Sequence, residues 1–213
     1  QSFNFKVVII LFLWFEFTGW NIVIELVKKN TPMKLRIIIA FSLLLITQLS
    51  FSQEKKWVNP IIKNYGRILE LEKVDVAPDP NMEYKILIEL VHKLDKPESA
   101  AFAATNVARL INLHGVGGVK PENLKVAVVI HAGATSSVLN ADAYKTKYEV
   151  ESPYAPLYKE LMEAGVEVIV CGQSYSMYGN KVEDLMPGVK IGTSALTTIS
   201  TYQLKGYAFF KWE

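Results

Sequence analysis

One cysteine and three histidines carry most of the nucleophilic and metal-binding chemistry open to this chain of 213 residues. Cys171 stands where the apolar run VEVIVC breaks into GQS, His131 follows LKVAVVI and opens HAGATSS, and His92 follows YKILIELV. If the three runs are parallel strands, the three side chains share one edge, because ligands of an open parallel sheet bind beyond the carboxyl ends of its strands. With neighbouring strands about 4.8 Å apart, His131 and Cys171 come within contact or one water. A nearby imidazolium, or the N–H groups opening the segment after Gly172, favours thiolate over thiol and makes Cys171 a candidate nucleophile.

Each candidate also has a plainer role. Cysteine at the end of a valine-rich strand is commonly a small buried hydrophobe. His131 at a strand end can be satisfied by backbone, and His92, with Lys93 and Asp95 beside it, reads as a solvent-edge residue. His114 precedes Gly115 near a helix C-terminus, where an imidazolium suits the dipole. His92, His131 and Cys171 make a chemically reasonable metal set. None of the local CxxC or HxxxH spacing accompanies them, so no metal or other cofactor is expected.

The elements that must position these residues follow from periodicity. YKILIELVH, LKVAVVIHAG (124–133) and VEVIVCG are β-rich runs, the last nearly continuous in hydrophobicity, as a strand covered on both faces should be. PESAAFAATNVARLINLHG has Phe102, Val107, Leu110 and Ile111 near helical spacing, opening at Pro97 and closing at Gly115. PYAPLYKELMEAG (153–165) is a second helix, with Pro153 at its start and Gly165 as its cap. A short polar segment, a brief strand around Val189 to Ile191, a helix from about Ser194 to Lys205 and a terminal YAFFKW complete the pattern. Strands alternating with helices predict an α/β fold, a three-layer sandwich around a mostly parallel sheet of Rossmann-like or flavodoxin-like type, in a single small domain.

The first part of the chain stands apart. MKLRIIIAFSLLLITQLSFSQ, from Met33, has Lys34 and Arg36 ahead of an apolar stretch and small residues before a cleavage point after Ser52, which is the pattern of a secretory signal peptide. Residues 1–32 hold a mostly apolar stretch from Val7 to Val27, long enough to span a bilayer, but interrupted by Glu16, Asn21 and Glu25. Two hydrophobic segments back to back, the second a complete signal peptide, make 1–32 an expected upstream extension of the reading frame, with a membrane anchor as the alternative. The expected organisation is therefore 1–32 extension, 33–52 signal peptide, 53–82 arm or linker and 83–213 folded domain, in a periplasmic or secreted protein that is not itself membrane-embedded.

Residues 1–52 hold five of the 23 Lys and Arg and two of the 21 Asp and Glu, leaving 18 basic and 19 acidic residues, a net charge of −1. That balance offers no field for nucleic acid. With one cysteine, the exported chain has no internal disulfide, and its thiol is buried, reactive or paired between chains. HAGATSS offers glycine and hydroxyls where an anion can be cradled but is not a Walker sequence. HGVGG lacks the preceding strand of a dinucleotide fingerprint, and no serine sits in a GxSxG elbow.

The order VVIHAGA, LYKELMEAGVEVIVCGQS, EDLMPGVKIG and TYQLKGYAFFKW resembles the DsrE/DsrF-like family of small sulfur-relay proteins, in an exported branch, over residues 83–213. The resemblance implies a compact α/β domain that assembles as a homo-oligomer, a trimer or hexamer, with sites near subunit boundaries. It also implies a cysteine that carries sulfur as a persulfide. Cys171 matches a cysteine position common in the family and His131 its strand-end histidine. Gln203, Gly206 and Tyr207 match its closing pattern, with a structural or subunit-facing role. A carrier needs only one cysteine, since the thiol of a sulfur-donor or partner protein completes the exchange. Three functions stand side by side: a persulfide carrier or sulfurtransferase-type protein using Cys171 with His131, a non-catalytic oligomeric module for a small ligand or partner, and a His92, His131, Cys171 metal site. The first requires an exposed thiol of low pKa.

Overall fold

The structure is a computed structural model that describes residues 55–213 and, in isolation, Pro32. The expectations for 1–32 and for the signal peptide fall outside the described residues. No helix among the described residues is long and apolar enough to cross a membrane.

Residues 55–213 form one compact unit. A two-stranded antiparallel ribbon, β1 (Trp57–Val58) with β2 (Ile68–Leu69), precedes a five-stranded parallel sheet in the order β6-β5-β4-β3-β7. Its strands are β3 (Tyr84–Leu90), β4 (Leu124–Ile130), β5 (Glu167–Cys171), β6 (Lys190–Gly192) and β7 (Ala208–Trp212). The helices are α1 (Phe102–Val116), α2 (Ala141–Tyr148), α3 (Tyr154–Glu163), α4 (Gly172–Met177) and α5 (Ala195–Leu204). This is the expected α/β sandwich.

Handedness explains where the helices lie. From β3 through β6 the chain steps across the sheet in one direction, and right-handed crossovers keep the connecting helices on one face. The step from β6 back to β7, beside β3, runs the other way, so α5 covers the opposite face. The first face is thick: Ile86, Ile88 and Leu90 of β3, Val126, Val128 and Ile130 of β4, and Val168 and Val170 of β5 pack in one cluster with α1 and α3. The second face carries a smaller apolar cluster of Leu87, Ala127, Val129, Cys171 and Ala195, ringed by Ile199, Tyr202 and Tyr207. Side chains alternate between faces along each strand, so Glu89 and His131 belong to this thin second face.

Several local details depart from the sequence reading. The first helix starts at Phe102, not Pro97, and runs through Gly115 to a cap at Gly117. A helical glycine costs only about 1 kcal/mol, and Gly115 lies so close to Ile61 that a Cβ there would be 2.8 Å from its Cδ1. The polar stretches 132–138, 141–148 and 172–177, without clear periodicity, are also helical. Ala132–Val138 is a 3-10 helix that buries Thr135, Ser136 and Ser137, while α2 opens on Asn140, whose side chain accepts the Ala143 N–H. α3 ends one residue before Ala164, and Gly165 adopts φ +88°, the left-handed turn that favours glycine. α5 opens with a reciprocal capping box between Ser194 and Thr197.

The segment before β3 docks on the domain. Ile62 and Ile68 are fully buried, and the buried Asn112 of α1 is the hub that holds the segment. Its Oδ1 accepts from the N–H of Ile61 (3.0 Å) and Ile62 (2.8 Å), while its Nδ2 donates to the carbonyls of Ile62, Tyr65 and Gly66. Gly66, at φ +64°, touches the α1 backbone, where a Cβ would fall 2.2 Å from the Arg109 nitrogen.

Candidate functional site

Cys171 is both the last residue of β5 and the N-cap of α4, its sulfur accepting the Ser174 N–H at 3.4 Å. Its register partner is Gly192 of β6, from which the chain turns through Thr193 and Ser194 into α5. The thiol is therefore held at the openings of two helices. Burial alone would push its pKa up, but hydrogen bonds from the Ser174 hydroxyl and from the backbone N–H groups of Ser174, Ala195 and Gln173 outweigh that and hold it below the ordinary thiol range. Unpaired N–H groups at helix starts favour an anion, and here the anion they favour is thiolate.

The exposure expected for a reactive thiol is absent in the single chain: Cys171 is 4% exposed, against Leu87, Ala127, Val129 and Ala195. The sulfur lies under the first turn of α5, the same turn that supplies the Ala195 N–H. α5 thus adds one N–H to those that α4 supplies and contributes to the cover over the sulfur.

His131 lies one position past the last registered pair of β4 and β5, Ile130 with Val170, at the carboxyl edge of the second face, on the strand next to the one that ends in Cys171. Its polar partner is not the thiol but Glu89 of β3, with Nε2 and Oε1 2.6 Å apart. The sequence reading missed Glu89. Its signal was available: a carboxylate in YKILIEL at a position whose strand neighbours are apolar, next to the strand end.

The family model for DsrE/DsrF-like proteins matches residues 85–212, a span that contains Glu89, His131 and Cys171. The chain belongs to the DsrE/DsrF-like family. Among solved structures, it is similar to MTH1491 of Methanobacterium thermoautotrophicum, a protein of unknown function, at 22% identity with a TM-score of 0.46 over 61% of this chain and 99% of that one. It is also similar to the ychN protein of E. coli, at 14% identity with a TM-score of 0.43 over 60% of this chain and 99% of that one. No curated protein matches it.

In this DsrE/DsrF-like domain the three candidate residues do not converge. His92 lies on the first face, stacked on Tyr154 with centroids 5.8 Å apart and planes at 15°. It is buried rather than at a solvent edge, and neither ring nitrogen has a hydrogen-bond partner. Burial lowers its pKa to about 4. The apolar spacing that makes Ile86, Ile88 and Leu90 face the core carries two residues further to His92, which is why it turns inward. A metal set of His92, His131 and Cys171 is thereby ruled out by the sheet between them.

The hydroxyls of HAGATSS are also engaged within the fold. Thr135 donates to the Ala132 carbonyl, Ser137 meets the Tyr158 hydroxyl, and Ser136 accepts from Lys147 Nζ at 3.0 Å. The loop is a packed 3-10 helix and not an anion cradle. His114 Nδ1 lies 2.9 Å from the Leu110 carbonyl in the last turns of α1, as its place near the helix end suggested. Beside the β5–β6 edge, α5 borders a groove of about 350 Å³ lined by Ile169, Lys190, Gly192, Thr198 and Tyr202, among others.

Proposed function

We propose that this protein carries sulfur as a persulfide on Cys171. The observation behind this reading is the Ser174 N–H directed at the sulfur at 3.4 Å, which with the neighbouring N–H groups of Gln173 and Ala195 favours thiolate in spite of burial. A thiolate is the species that attacks a sulfur–sulfur bond. In this reading the donor and acceptor are hydropersulfides or thiol proteins, the working unit is a homo-oligomer and the protein acts outside the cytoplasm. Helix α5 gates the thiol, so loading occurs as its first turn moves aside.

The test is the pH dependence of Cys171 alkylation in the purified protein, with intact mass read before and after exposure to a hydropersulfide. A thiol that titrates well below about 8.5 and gains the mass of one sulfur supports the carrier. A thiol that stays inert until the protein unfolds sinks it.

A second reading, an oligomeric binding module without thiol chemistry, is favoured by the 4% exposure of Cys171. It requires that Cys171→Ser leave assembly and ligand binding unchanged, and the same alkylation experiment separates the two.

A further inference from the structure

Glu89 is about nine-tenths buried, a costly place for a carboxylate without a partner. In register it lies between Val129 of β4 and Lys211 of β7. The residue two positions past Val129 is His131, so the diagonal across adjacent strands brings carboxylate and imidazole together on the second face. The contact, at 2.6 Å, joins side chains that are 23% and 11% exposed for His131 and Glu89.

A carboxylate has no proton to offer, so the ring nitrogen donates. With Nε2 carrying that proton, Nδ1 is the basic nitrogen of the neutral ring. A base whose tautomer is set by a third group is the general arrangement beside an activated nucleophile. Here the nucleophile, base and orienter come from the ends of three consecutive sheet strands, β5, β4 and β3.

We propose that Glu89 is a positioning residue that holds His131 as the Nε2–H tautomer, so that Nδ1 takes up the terminal proton of a persulfide formed on Cys171. This rests on the carrier reading, with a hydropersulfide, R–S–SH, as the donor. The Cys171 thiolate attacks the outer sulfur, a Cys171 sulfur–sulfur bond forms, the donor's sulfur–sulfur bond breaks and R–S⁻ leaves with the bonding pair. The product, Cys171–S–SH, passes its proton to Nδ1 and becomes Cys171–S–S⁻. The imidazolium so formed is matched by the Glu89 carboxylate. One sulfur–sulfur bond breaks for each one made, so no oxidant or reductant is consumed.

The experiment has two readouts on wild type, Glu89→Gln and Glu89→Leu: the His131 tautomer by two-bond 1H–15N correlation spectra, and the rate of sulfur uptake from a low-molecular-weight hydropersulfide across pH, followed by intact mass. The expected results are Nε2–H in wild type and in Glu89→Gln, whose amide oxygen still accepts, and a mixed tautomer in Glu89→Leu. Uptake in Glu89→Leu falls at least about tenfold, a modest share of what a positioned base contributes, with partial rescue in Glu89→Gln. An Nδ1–H tautomer in wild type, or an unchanged tautomer and rate in Glu89→Leu, overturns the proposal. The wild-type tautomer needs no variant and decides the assignment even where Glu89→Leu fails to fold. A wild type that takes up no sulfur ends the carrier reading, while the tautomer readout still upholds or overturns the role of Glu89.

Discussion

Gly192 on β6 lies against Thr198 on α5 so closely that a Cβ at Gly192 would fall 2.5 Å from Thr198 Oγ1 and 3.2 Å from Ile169 Cγ2. The missing side chain lets the helix settle low on the sheet, where its first turn can reach the thiol. Gly192→Ala is expected to lift α5, cost about 1 to 3 kcal/mol as overpacking does and weaken the Ala195 N–H contact. The Cys171 pKa should then rise toward that of a free thiol while the sulfur becomes more accessible. Alkylation rates against pH would show an alkaline shift of the midpoint; an unmoved midpoint would mean that α5 contributes nothing to thiolate stability.

Replacing Cys171 by serine keeps an acceptor for the Ser174 N–H. Hydroxyl oxygen is itself a preferred N-cap, so Cys171→Ser should change unfolding free energy by no more than about 1 kcal/mol, within the range of mild substitutions. Sulfur uptake should vanish. Chemical denaturation together with intact mass separates the two effects, and retention of sulfur by the serine variant would place the carrier elsewhere.

His92 makes stability depend on acid. Its folded pKa, about 4, lies below the ordinary 6.5 because burial disfavours the imidazolium. Between those values the unfolded chain binds the proton and the folded one does not, so stability rises with pH across the window. The contribution is complete above about pH 6.5 and is lost as pH falls toward 4, amounting to about 3 kcal/mol at 1.36 kcal/mol per unit. His92→Phe preserves a ring against Tyr154 and removes the titrating group. Its unfolding free energy should decline less than wild type between pH 7 and 4, and parallel curves would refute the assignment.

Asn112 holds the segment before β3 through five hydrogen bonds to its backbone. Asn112→Leu fits the space but leaves those groups without partners, at about 1 to 3 kcal/mol for each one that remains buried. The segment is expected to detach before the full sum is reached. Limited proteolysis should cut the variant within residues 59–66 first, with a loss of about 3 to 5 kcal/mol in overall stability.

The strands and main helices were legible because the apolar runs are strong: β3, β4 and β5 are buried on both faces and helices α1, α3 and α5 have boundary signals. Cys171 and His131 were legible as strand-end residues for the same reason. His92 was misread because its charged neighbours, Lys93 and Asp95, suggested solvent, whereas the strand's two-residue alternation continues through it. Glu89 and Asn112 were invisible as functional positions because a single polar residue in an apolar run does not reveal its partner, and both partners lie 42 or more residues away. The polar helices between β4 and β5 were missed because the Thr and Ser hydroxyls that make HAGATSS look like a loop are satisfied inside the fold.

The strand order also sets a timetable. A chain emerging from its N-terminal side can pair β3, β4 and β5 and build most of the thick face before residues 195–212 are added. The opposite face stays bare until α5 is laid across it and β7 zips onto the far side of β3. Until that moment Cys171 lacks the Ala195 N–H and is open to oxidants and to other nascent chains. The Ser174 and Gln173 N–H groups reach the sulfur early, and the last of its donors and its shelter arrive together with α5.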